Sequence, residues 1–368
     1  MSAILLLCVA CQLIMVSIML VAIYRLSSKS NVSGGVSDVA ISIIIAARNE
    51  AENLKVKLPL VLSQDHARFE VVVVLDRCTD QSKRVVEELM QTHPELRYIE
   101  CNYNDTVANK KRVIKEGING ASHEHLVFTD ADCRPSNPKW LSHFAKHFSE
   151  GKNLIIGSGM FHPSNSIVNQ LYRLDALFIA LKYFTAAKMG FAYMAVGRSM
   201  GYTKTLFRNI NGFSAHEDLA SGDDDLFVKS AASNAQIGLA PEALTLSQTP
   251  ETWSAWKTQK IRHLTTGRRY RFLTLFMLGL FELTDFISAI GLLVYFYHDF
   301  DPMLSTFFIL FVFKTVILGY LVDLLGSKMW YDSKAFSLIF YQPLLTLVYP
   351  LFSILSVVDN PKDWKRTE

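Results

Sequence analysis

The chain has 368 residues, half of them hydrophobic, and a formal net charge of +3. This length is sufficient for one large domain together with membrane segments. The mild charge, with no basic stretch interleaved with aromatic residues, argues against a dedicated nucleic-acid surface. The five cysteines are scattered and do not form the pattern of a disulfide framework; reduced cysteines fit a domain on the cytoplasmic side of a membrane.

An uncharged apolar segment covers residues 3–24. About 22 residues at 1.5 Å rise are long enough to cross a bilayer core of roughly 30 Å. No basic stretch precedes the segment and no small-residue cleavage site follows it, so the pattern favours an anchor over a cleaved signal peptide. Arg25 and Lys29 come directly afterwards, and the positive-inside rule then places the following chain in the cytoplasm. Residues 27–37, rich in Ser, Gly and Asn, predict a linker.

Strand-like and helix-like patterns alternate between residues 39 and 238. Residues 40–47 (AISIIIAA) and 70–75 (EVVVVL) are continuous apolar runs of strand length, as in strands that are buried on both faces. The predicted strands cover residues 40–47, 70–75, 96–100 and 125–129, and the predicted helices cover 50–63, 80–92 and 110–119. This alternation predicts a parallel sheet covered by helices, whose ligands bind at the carboxyl ends of the strands.

Polar side chains stand at the carboxyl ends of three of these strands. Arg48 and Asn49 follow the first, Asp76 ends the second, and Asp130 and Asp132 follow the fourth. The last two are spaced i, i+2, so in an extended chain their carboxylates point to the same side. Mg²⁺ and Mn²⁺ favour such oxygen ligands, usually one or two carboxylates together with substrate phosphates. The pair predicts a metal-held diphosphate, although such a pair on its own is more often a solvated turn.

Residues 167–193 are apolar and aromatic but include four charged side chains, too many for a comfortable membrane span. We interpret this segment as an amphipathic interfacial helix or as the wall of an acceptor channel. The alternative is a core helix of the soluble domain.

The chain becomes strongly apolar again after Arg271. Candidate membrane spans cover residues 272–297, 303–325 and 336–358. Two prolines in the last of these leave a re-entrant or interfacial segment as an alternative. Three spans after the domain would leave the C-terminus outside, whereas the basic tail favours the inside, so the two patterns disagree.

Two further motifs precede the apolar segments. SGDDDLF, residues 221–227, places three consecutive carboxylates between a glycine and an apolar pair, and QKIRH covers residues 259–263. An acidic run is most often a solvated loop or helix start, but crowded carboxylates raise one another's pKa and so favour a general base near neutral pH. The Arg262 guanidinium could hold a diphosphate in bidentate fashion.

These motifs, in this order, resemble the family 2 glycosyltransferases, which are inverting enzymes of the GT-A fold. The resemblance covers residues 41–269, and the membrane-bound lipid and polysaccharide branch, including ceramide-glucosyltransferase-like proteins, looks most similar. AARNEAENL is similar to the family's opening strand, VVVVLDRCTDQS to its V-D-D-x-S-T-D segment, and NKKRVIKEGI to its G-K-x-x-A-L-x-x-G helix. TDAD is similar to the D-x-D metal motif, SGDDD to the G-E-D motif and QKIRH to Q-x-x-R-W.

The chain departs from the family pattern at three places. Leu75 replaces the first Asp of the second motif, Asn109 replaces a Gly, and His263 replaces the Trp of Q-x-x-R-W. The first change leaves Asp76 alone to carry its motif, and the last removes the ring that would stack there.

The resemblance implies a role for each matching residue. Asp224 matches the general base, and a register shifted by one residue would give Asp225 instead. Asp132, with Asp130, matches the ligands of Mg²⁺ or Mn²⁺. The implied catalytic residues are Asp223, Asp224, Asp225 and Arg262, and the implied donor-binding residues are Ala47, Arg48, Glu50, Asp76, Lys110, Asp130 and Gln259.

The predicted architecture is α/β, with a Rossmann-like GT-A domain at residues 38–270. An N-terminal anchor at 1–26 precedes it, and C-terminal membrane helices at 271–358 and a tail at 359–368 follow it. The predicted activity is inverting sugar transfer from a nucleotide-diphosphate sugar, a UDP-sugar, to a lipid or lipid-linked acceptor. We expect an integral protein of a bacterial inner membrane with its catalytic domain in the cytoplasm, and a loop around residues 157–159 that helps to select the sugar.

Two alternatives stay open. A processive polysaccharide synthase would use the same motifs, but the small number of membrane segments and the altered Q-x-x-R-W speak against it. A non-enzymatic membrane scaffold with a degenerate transferase domain is the second, and the intact set of carboxylates speaks against that.

Overall fold

A computed structural model describes residues 1–26, 38–101, 109–219, 221–249, 252–297, 301–329, 331 and 341–358. The predicted linker and the predicted tail lie outside the described residues. The chain divides into two compact units. The helical unit is built from Met1–Ser28, Pro163–Phe191 and Pro250–Asn360, and the sheet unit chiefly from Lys29–His162 and Ala192–Thr249.

The sheet unit contains one sheet of eight described strands in the order β3-β2-β1-β4-β7-β6-β8-β5. The strands are β1 Ile41–Ala47, β2 Phe69–Asp76, β3 Leu96–Cys101, β4 His125–Asp130, β5 Arg134–Pro135, β6 Leu154–Phe161, β7 Met200–Thr203 and β8 Ile237–Ser247. The described helices are α1 Ser2–Tyr24, α2 Ala51–Leu62, α3 Ser82–Met90, α4 Lys110–Gly120, α5 Trp140–Ser149, α6 Ile167–Lys188, α7 Lys204–Asn209, α8 Asp225–Ala231, α9 Trp253–Gly267, α10 Phe272–Tyr297, α11 Pro302–Lys328 and α12 Gln342–Val358.

The predicted parallel arrangement holds for the first four strands. Strand β1 pairs in parallel with β2 and β4, and β2 pairs in parallel with β3. Strand β7 is antiparallel to β4 and β6, and β5 is antiparallel to β8, so the sheet as a whole is mixed. The regular alternation of strand and crossover helix, which parallel neighbours require, ends after β4. The predicted loop around residues 157–159 was wrong, because these residues lie within the fully buried strand β6.

Helices cover both faces of the parallel part of the sheet. Ile43 and Ile45 belong to the same buried cluster as Leu54 and Leu58 of α2. On the other face, Gly117 of α4 lies so close that a β-carbon there would be 2.6 Å from Ile44 Cγ2. Because successive side chains of a strand point to opposite faces, β1 is buried on both sides, as its continuous apolar sequence predicts.

The helical unit collects the long apolar helices. Leu5 and Val9 of α1 pack with Leu304 and Phe307 of α11 in one buried cluster. The buried Gln12 amide donates hydrogen bonds to the backbone carbonyl of Phe281 at 2.7 Å and to Thr284 Oγ1 at 2.6 Å. These contacts join α1 to α10, about 270 residues later in the chain.

Three described helices are long and apolar enough to cross a membrane, namely α1, α10 and α11. Helix α12 has 17 residues, or about 25 Å at 1.5 Å per residue, which is shorter than a bilayer core of roughly 30 Å. Residues 336–340 of the last candidate span lie outside the described residues, so its re-entrant or interfacial alternative stays a prediction.

Helix α6 differs from the amphipathic interfacial helix that we expected at residues 167–193. It belongs to the helical unit, and it buries the charged side chains of Arg173 and Asp175 as well as most of its apolar ones. Each of these charges has a partner within the unit, since Arg173 donates to the Tyr331 hydroxyl at 2.6 Å and Asp175 pairs with Lys260. The mixed sequence of α6 thus reflects buried polar contacts rather than one exposed polar face.

Candidate active site

Carboxyl ends of parallel strands bring the predicted polar residues to one edge of the sheet. Ala47, the last residue of β1, is paired with Leu75, which precedes Asp76 at the end of β2. Ala46 is paired with Asp130, the last residue of β4. The motifs that follow these three strands therefore meet at the same edge.

Asp76 is fully buried and held by arginines. Arg77 donates from Nε to Oδ1 at 2.9 Å and from Nη2 to Oδ2 at 3.2 Å, while Arg48 Nη1 lies 3.9 Å from Oδ2. Arg77 adopts a left-handed backbone with φ of 47°, which an L-residue rarely does without a structural reason. This turn folds the Arg77 side chain back onto the carboxylate that precedes it.

Asp80, rather than Asp76, caps the turn before α3. Its carboxylate accepts from the Ser82 backbone N–H at 3.0 Å and from the Ala51 N–H at 2.9 Å, at the start of α2. Glu50 is buried; its N–H donates to Ser82 Oγ at 2.8 Å and its Oε2 accepts from the Asn53 amide at 2.6 Å. Asp80 therefore fixes both the turn before α3 and the start of α2.

The D-x-D segment forms a compact donor set. One ligand atom each of Asp130, Asp132 and Cys133 lies within 4.8 Å of the others. Burial raises the pKa of the Cys133 thiol well above its usual value, with a further contribution from Asp132, so the thiol is protonated at neutral pH and donates to Asp132 Oδ1 at 3.3 Å. The Lys57 ammonium donates to the Asp132 backbone carbonyl at 2.5 Å and fixes the turn. Two carboxylates remain as ligands, which suits Mg²⁺ or Mn²⁺.

Lys110 joins the two acidic motifs. Its Nζ lies 2.8 Å from Asp130 Oδ1 and 3.1 Å from Asp223 Oδ2, and its side chain is only 13% exposed. Burial opposes the charged form, but the two aspartates outweigh it and raise the pKa of Lys110 above its usual range. Asn109 caps α4, because its side chain accepts from the Lys111 N–H at 3.1 Å. The residue that replaces the family glycine thus starts the helix that presents Lys110.

Asp224 stands at the N-terminus of α8. Its Oδ1 accepts from the Asp225 N–H at 2.8 Å and its Oδ2 from the Gly197 N–H at 2.9 Å. Burial raises the pKa of Asp224 to about 7, and the charges of Asp223 and Asp225 act in the same direction. A carboxyl group with such a pKa exchanges its proton near neutral pH, as a general base must.

Asp225 has a different environment from Asp224. It is 6% exposed, and its Oδ1 accepts from the Leu226 N–H at 2.7 Å. Asp224 keeps more exposed surface. Of the two aspartates left open by the sequence, Asp224 is the more exposed, and its own pKa lies near neutrality.

Lys111 is a buried residue of α4 that the sequence motifs did not single out. It is 2% exposed, and its ammonium donates to the backbone carbonyls of His216 and Ser221, the latter at 3.2 Å. It therefore fixes the loop that leads to the three aspartates. A signal existed, since Lys111 shares the buried stripe of α4 with Ile114 and Ile118, at positions where a solvated lysine is not expected.

His216 lies beside Lys111. Burial and the Lys111 charge lower the pKa of His216 to about 4, so the ring is neutral at physiological pH. A neutral ring next to a buried ammonium avoids a second positive charge in the loop.

Gln259 and Arg262 lie on α9, in the helical unit. Gln259 accepts a hydrogen bond from the Tyr172 hydroxyl, and Arg262 is half-buried. Lys260 between them pairs with Asp175 of α6. The predicted roles of Gln259 and Arg262 at a diphosphate stay predictions, whereas the other predicted residues lie in the sheet unit.

Comparisons with known proteins concern the family and the fold. Residues 42–210 match the family model described as Glycosyl transferase family 2. A poly-beta-1,6-N-acetyl-D-glucosamine synthase from Staphylococcus epidermidis is 23% identical over 232 residues, which cover 60% of this chain and 53% of that protein. The glycosyltransferase AglE from Haloferax volcanii is 29% identical over 136 residues, 36% of this chain and 43% of that protein. The chain spans about half the length of these curated relatives.

A solved structure shows the same fold. The mannosyltransferase PcManGT from Pyrobaculum calidifontis, in complex with GDP-Man and Mn²⁺, aligns over 98% of both chains with a TM-score of 0.54 and 18% sequence identity. Together with the mixed sheet, this alignment shows a GT-A fold. Residues 42–210 therefore match the glycosyl transferase family 2 model, in a chain of GT-A fold that also has apolar N-terminal and C-terminal helices.

Proposed function

We propose that the chain transfers a sugar from a UDP-sugar to a hydroxyl group of a lipid or lipid-linked acceptor, with inversion, at the cytoplasmic face of a bacterial inner membrane. The observation that carries this proposal is the position of Lys110. It contacts Asp130 of the D-x-D segment and Asp223 beside Asp224. The Lys110 side chain thus contacts the D-x-D segment, which is suited to hold the donor, and the acidic run that contains Asp224, which is suited to activate the acceptor.

Asp132 and Asp130 would hold the divalent ion. The two carboxylates provide the oxygen ligands that these ions prefer, whereas Cys133 offers sulfur. When bound, Mg²⁺ or Mn²⁺ supplies positive charge to the diphosphate of the leaving group. Among solved structures, the mannosyltransferase of similar fold was captured with Mn²⁺ and its own donor, GDP-Man.

Asp224 would act as the general base. Its carboxylate accepts the proton of the acceptor hydroxyl while that oxygen attacks the anomeric carbon opposite the diphosphate, which inverts the configuration. Its pKa of about 7 leaves a substantial ionised fraction at neutral pH. Gly197 holds Oδ2 by a backbone N–H, so the carboxylate keeps its orientation when it is ionised.

Asp76 would recognise the base of the donor. A carboxylate at this strand end can accept from the imide N–H of uracil, and the neighbouring arginines orient it. The role proposed for Arg262, with Gln259, is a contact with the leaving diphosphate.

A processive polysaccharide synthase is the second candidate. The observation in its favour is the similarity to a poly-beta-1,6-N-acetyl-D-glucosamine synthase over 60% of this chain. That relative is about twice as long as the matched part, so the similarity concerns the transferase domain.

The test is a donor and acceptor screen. The purified full chain in detergent is mixed with native lipid extract and labelled nucleotide sugars, with Mn²⁺ or with EDTA, and UDP release and labelled products are measured. Metal-dependent UDP release together with one labelled glycolipid is the expected result. Labelled material too large for a glycolipid would favour the synthase. No release with any donor, although UDP binds, would contradict the proposed reaction.

A further inference from the structure

Side-chain contacts in the helical unit fix the relative heights of its long helices. At one end, the Ser2 hydroxyl of α1 donates to the Asp301 carboxylate, directly before α11, at 2.9 Å. At the other end, the Lys328 ammonium of α11 donates to the Leu26 carbonyl, directly after α1, at 2.6 Å. Helices α1 and α11 therefore run side by side in the same direction, with their ends level.

Helix α10 runs in the opposite direction. Leu5, near the start of α1, lies against Gly291, near the end of α10, where a β-carbon would be 2.5 Å from Leu5 Cδ2. Gln12, further along α1, contacts Thr284, which comes earlier in α10. The next residue, Asp285, is about 20 Å along α10 from its first residue, at 1.5 Å per residue. Asp285 is thus near the middle of the height that these three helices share.

Helix α12 begins at the height of Asp285. The Asp285 Oδ2 atom accepts from Gln342 Nε2, in the first residue of α12, and from the Thr346 hydroxyl, both at 2.6 Å. Its Oδ1 accepts from Lys314 of α11 at 2.8 Å. The N-terminus of a helix has a partial positive charge, which is costly inside a bilayer. The buried carboxylate beside the first turn compensates this charge and favours a helix that begins at this depth.

The other end of α12 lies beside α9, near the start of α10. Phe352 packs edge-on against Trp256 of α9, with ring centroids 5.3 Å apart. One turn later, Ser356 Oγ accepts from Nη2 of Arg268, directly after α9, at 3.1 Å. About 21 Å of helix separates this contact from that with Asp285, which matches the distance from Asp285 back to the start of α10. Helix α12 therefore covers the height of the first half of α10.

Basic side chains mark the end of the helices to which α12 returns. Arg25 follows α1, Arg271 precedes α10, and Lys328 ends α11. The segment between α10 and α11, residues 298–301, contains two aspartates and no lysine or arginine. By the positive-inside rule, the end with the three basic residues faces the cytoplasm.

The connection from α11 to α12 is too short for a further crossing. Tyr331 is at the basic end, since its N–H donates to the Gly326 carbonyl of α11 at 2.9 Å. The chain advances eleven residues from Tyr331 to Gln342, and these extend to at most about 40 Å. Crossing a bilayer core of roughly 30 Å and returning to its middle would require about 45 Å. The chain therefore reaches the start of α12 from the basic end.

We propose that α12 is a re-entrant helix, which begins near the middle of the bilayer and returns to the cytoplasmic side. Its partner is the acyl-chain region of the cytoplasmic leaflet. One face of α12 is apolar and exposed, with Leu344, Leu347, Leu351 and Ile354 at helical spacing. The basic tail then ends on the same side as Arg25, which removes the disagreement between the number of spans and the charge of the tail. This inference rests on the proposed membrane location but not on the proposed sugar transfer.

Labelling of introduced cysteines tests the side on which the chain ends. Ser327→Cys marks the basic end, Tyr297→Cys the opposite end and Thr367→Cys the tail. A membrane-impermeant maleimide is applied to sealed right-side-out and inside-out vesicles, and the unsubstituted chain gives the background of the native cysteines. We expect Ser327→Cys and Thr367→Cys to react only in inside-out vesicles, and Tyr297→Cys only in right-side-out ones. Reaction of Thr367→Cys together with Tyr297→Cys would show a full crossing and overturn the inference.

The depth of α12 distinguishes a re-entrant helix from one that lies flat on the membrane. Leu344→Cys and Ile354→Cys each receive a nitroxide in liposomes, and collisions with oxygen and with a water-soluble nickel chelate give the depth of the label. We expect the label at 344 to be about 10–15 Å deeper than that at 354. Leu283→Cys in α10 is the matched control, since Leu283 is 57% exposed and lies beside Asp285; its label should have the same depth as that at 344. Equal depths at 344 and 354 would contradict the inference.

Two further measurements separate this inference from folding and from the proposed reaction. Thermal unfolding in detergent shows whether each cysteine variant is folded. Metal-dependent UDP release is measured on the same preparations. The expected sides and depths without UDP release would remove the proposed reaction and leave the re-entrant helix, and UDP release with the tail on the opposite side would do the reverse.

Discussion

The proton affinity of the Asp224 carboxyl group is set by its neighbours. Burial and the charges of Asp223 and Asp225 raise its pKa to about 7, against the opposing charge of Lys110. The Gly197 N–H, which favours the ionised form, fixes the orientation of the same carboxyl group. The residue therefore changes charge within the range in which most cells hold their cytoplasm.

Asp224→Asn should abolish transfer while it keeps donor binding. The amide cannot accept the proton of the acceptor hydroxyl, and loss of a general base typically costs about 10²- to 10⁴-fold in rate. Initial rates and UDP affinity are measured with the donor found in the screen. Asp225→Asn is the control, and it should have the smaller effect on rate. The reverse order of the two variants would assign the base to Asp225.

The rate should rise with pH through a midpoint near 7. Below that pH Asp224 is protonated and cannot act as a base; above it the carboxylate is available. Asp223→Asn removes a neighbouring negative charge that raises this pKa, so the midpoint should move to lower pH. Profiles of kcat against pH for both proteins check the prediction, and identical midpoints would show that Asp223 does not influence the base.

Asp132→Ala should remove metal-dependent donor binding. One of the two carboxylate ligands is lost, while Lys110 and Asp130 keep their contact. Titration of UDP in the presence and absence of Mn²⁺ is the measurement. The wild type should bind UDP more tightly with the ion, and the variant should show no difference. A variant that keeps the full effect of Mn²⁺ would exclude Asp132 as a ligand.

At the scale of elements, helix α4 contributes more residues to the candidate site than Lys110, its one predicted donor-binding residue. Lys110 at its start contacts both acidic motifs, Lys111 holds the loop before the base, and Gly117 sets its distance from the sheet. The position of this one helix therefore fixes three separate parts of the candidate active site.

Gly117→Ala should destabilise the sheet unit and reduce activity together. The added methyl group would lie 2.6 Å from Ile44 Cγ2 and 3.0 Å from Val74 Cγ2, and overpacking of this kind costs about 1–3 kcal/mol. Gly279→Ala in α10 is the control, because nothing lies within 4 Å of a β-carbon there. Unfolding midpoints and transfer rates are compared, and a Gly117→Ala protein as stable as wild type would contradict the close packing.

The sequence predicted those elements whose patterns are local. Strands β1 and β2 are continuous apolar runs, and the structure has them within two residues of the predicted bounds. Strand β6 was not predicted, because Gly157 and Gly159 suggest a loop. In the structure the missing side chains leave room for a distant segment, with Ser199 close to Gly157 and Arg198 close to Gly159. The bridging role of Lys110 depends on Asp130 and Asp223, far from it along the chain, so no local pattern contains it.

At the scale of the whole molecule, the two units are stabilised in different ways. The sheet unit buries a large aliphatic core between strands and helices. The helical unit buries apolar clusters as well as complete ion pairs, such as that of Lys314 with Asp285. The stability of the helical unit therefore depends on buried charges that must stay paired.

Lys314→Met should destabilise the helical unit strongly. The Asp285 carboxylate would stay buried without its cation, and breaking a buried pair from one side costs about 3–5 kcal/mol. The double variant Lys314→Met with Asp285→Leu removes both charges and should recover much of the loss. Thermal unfolding in detergent and UDP affinity are measured. Unchanged unfolding of the single variant would show that the pair is not required.

The arrangement of α4 also limits how the enzyme can be engineered. Each residue of a helix advances the side chains by about 100° around its axis. A single insertion between Lys111 and Gly117 would turn the two lysines away from their aspartate and carbonyl partners, or else turn the glycine away from Ile44. Sequence libraries for altered specificity should therefore keep the length of this helix constant and vary its solvent-facing positions, such as Lys115.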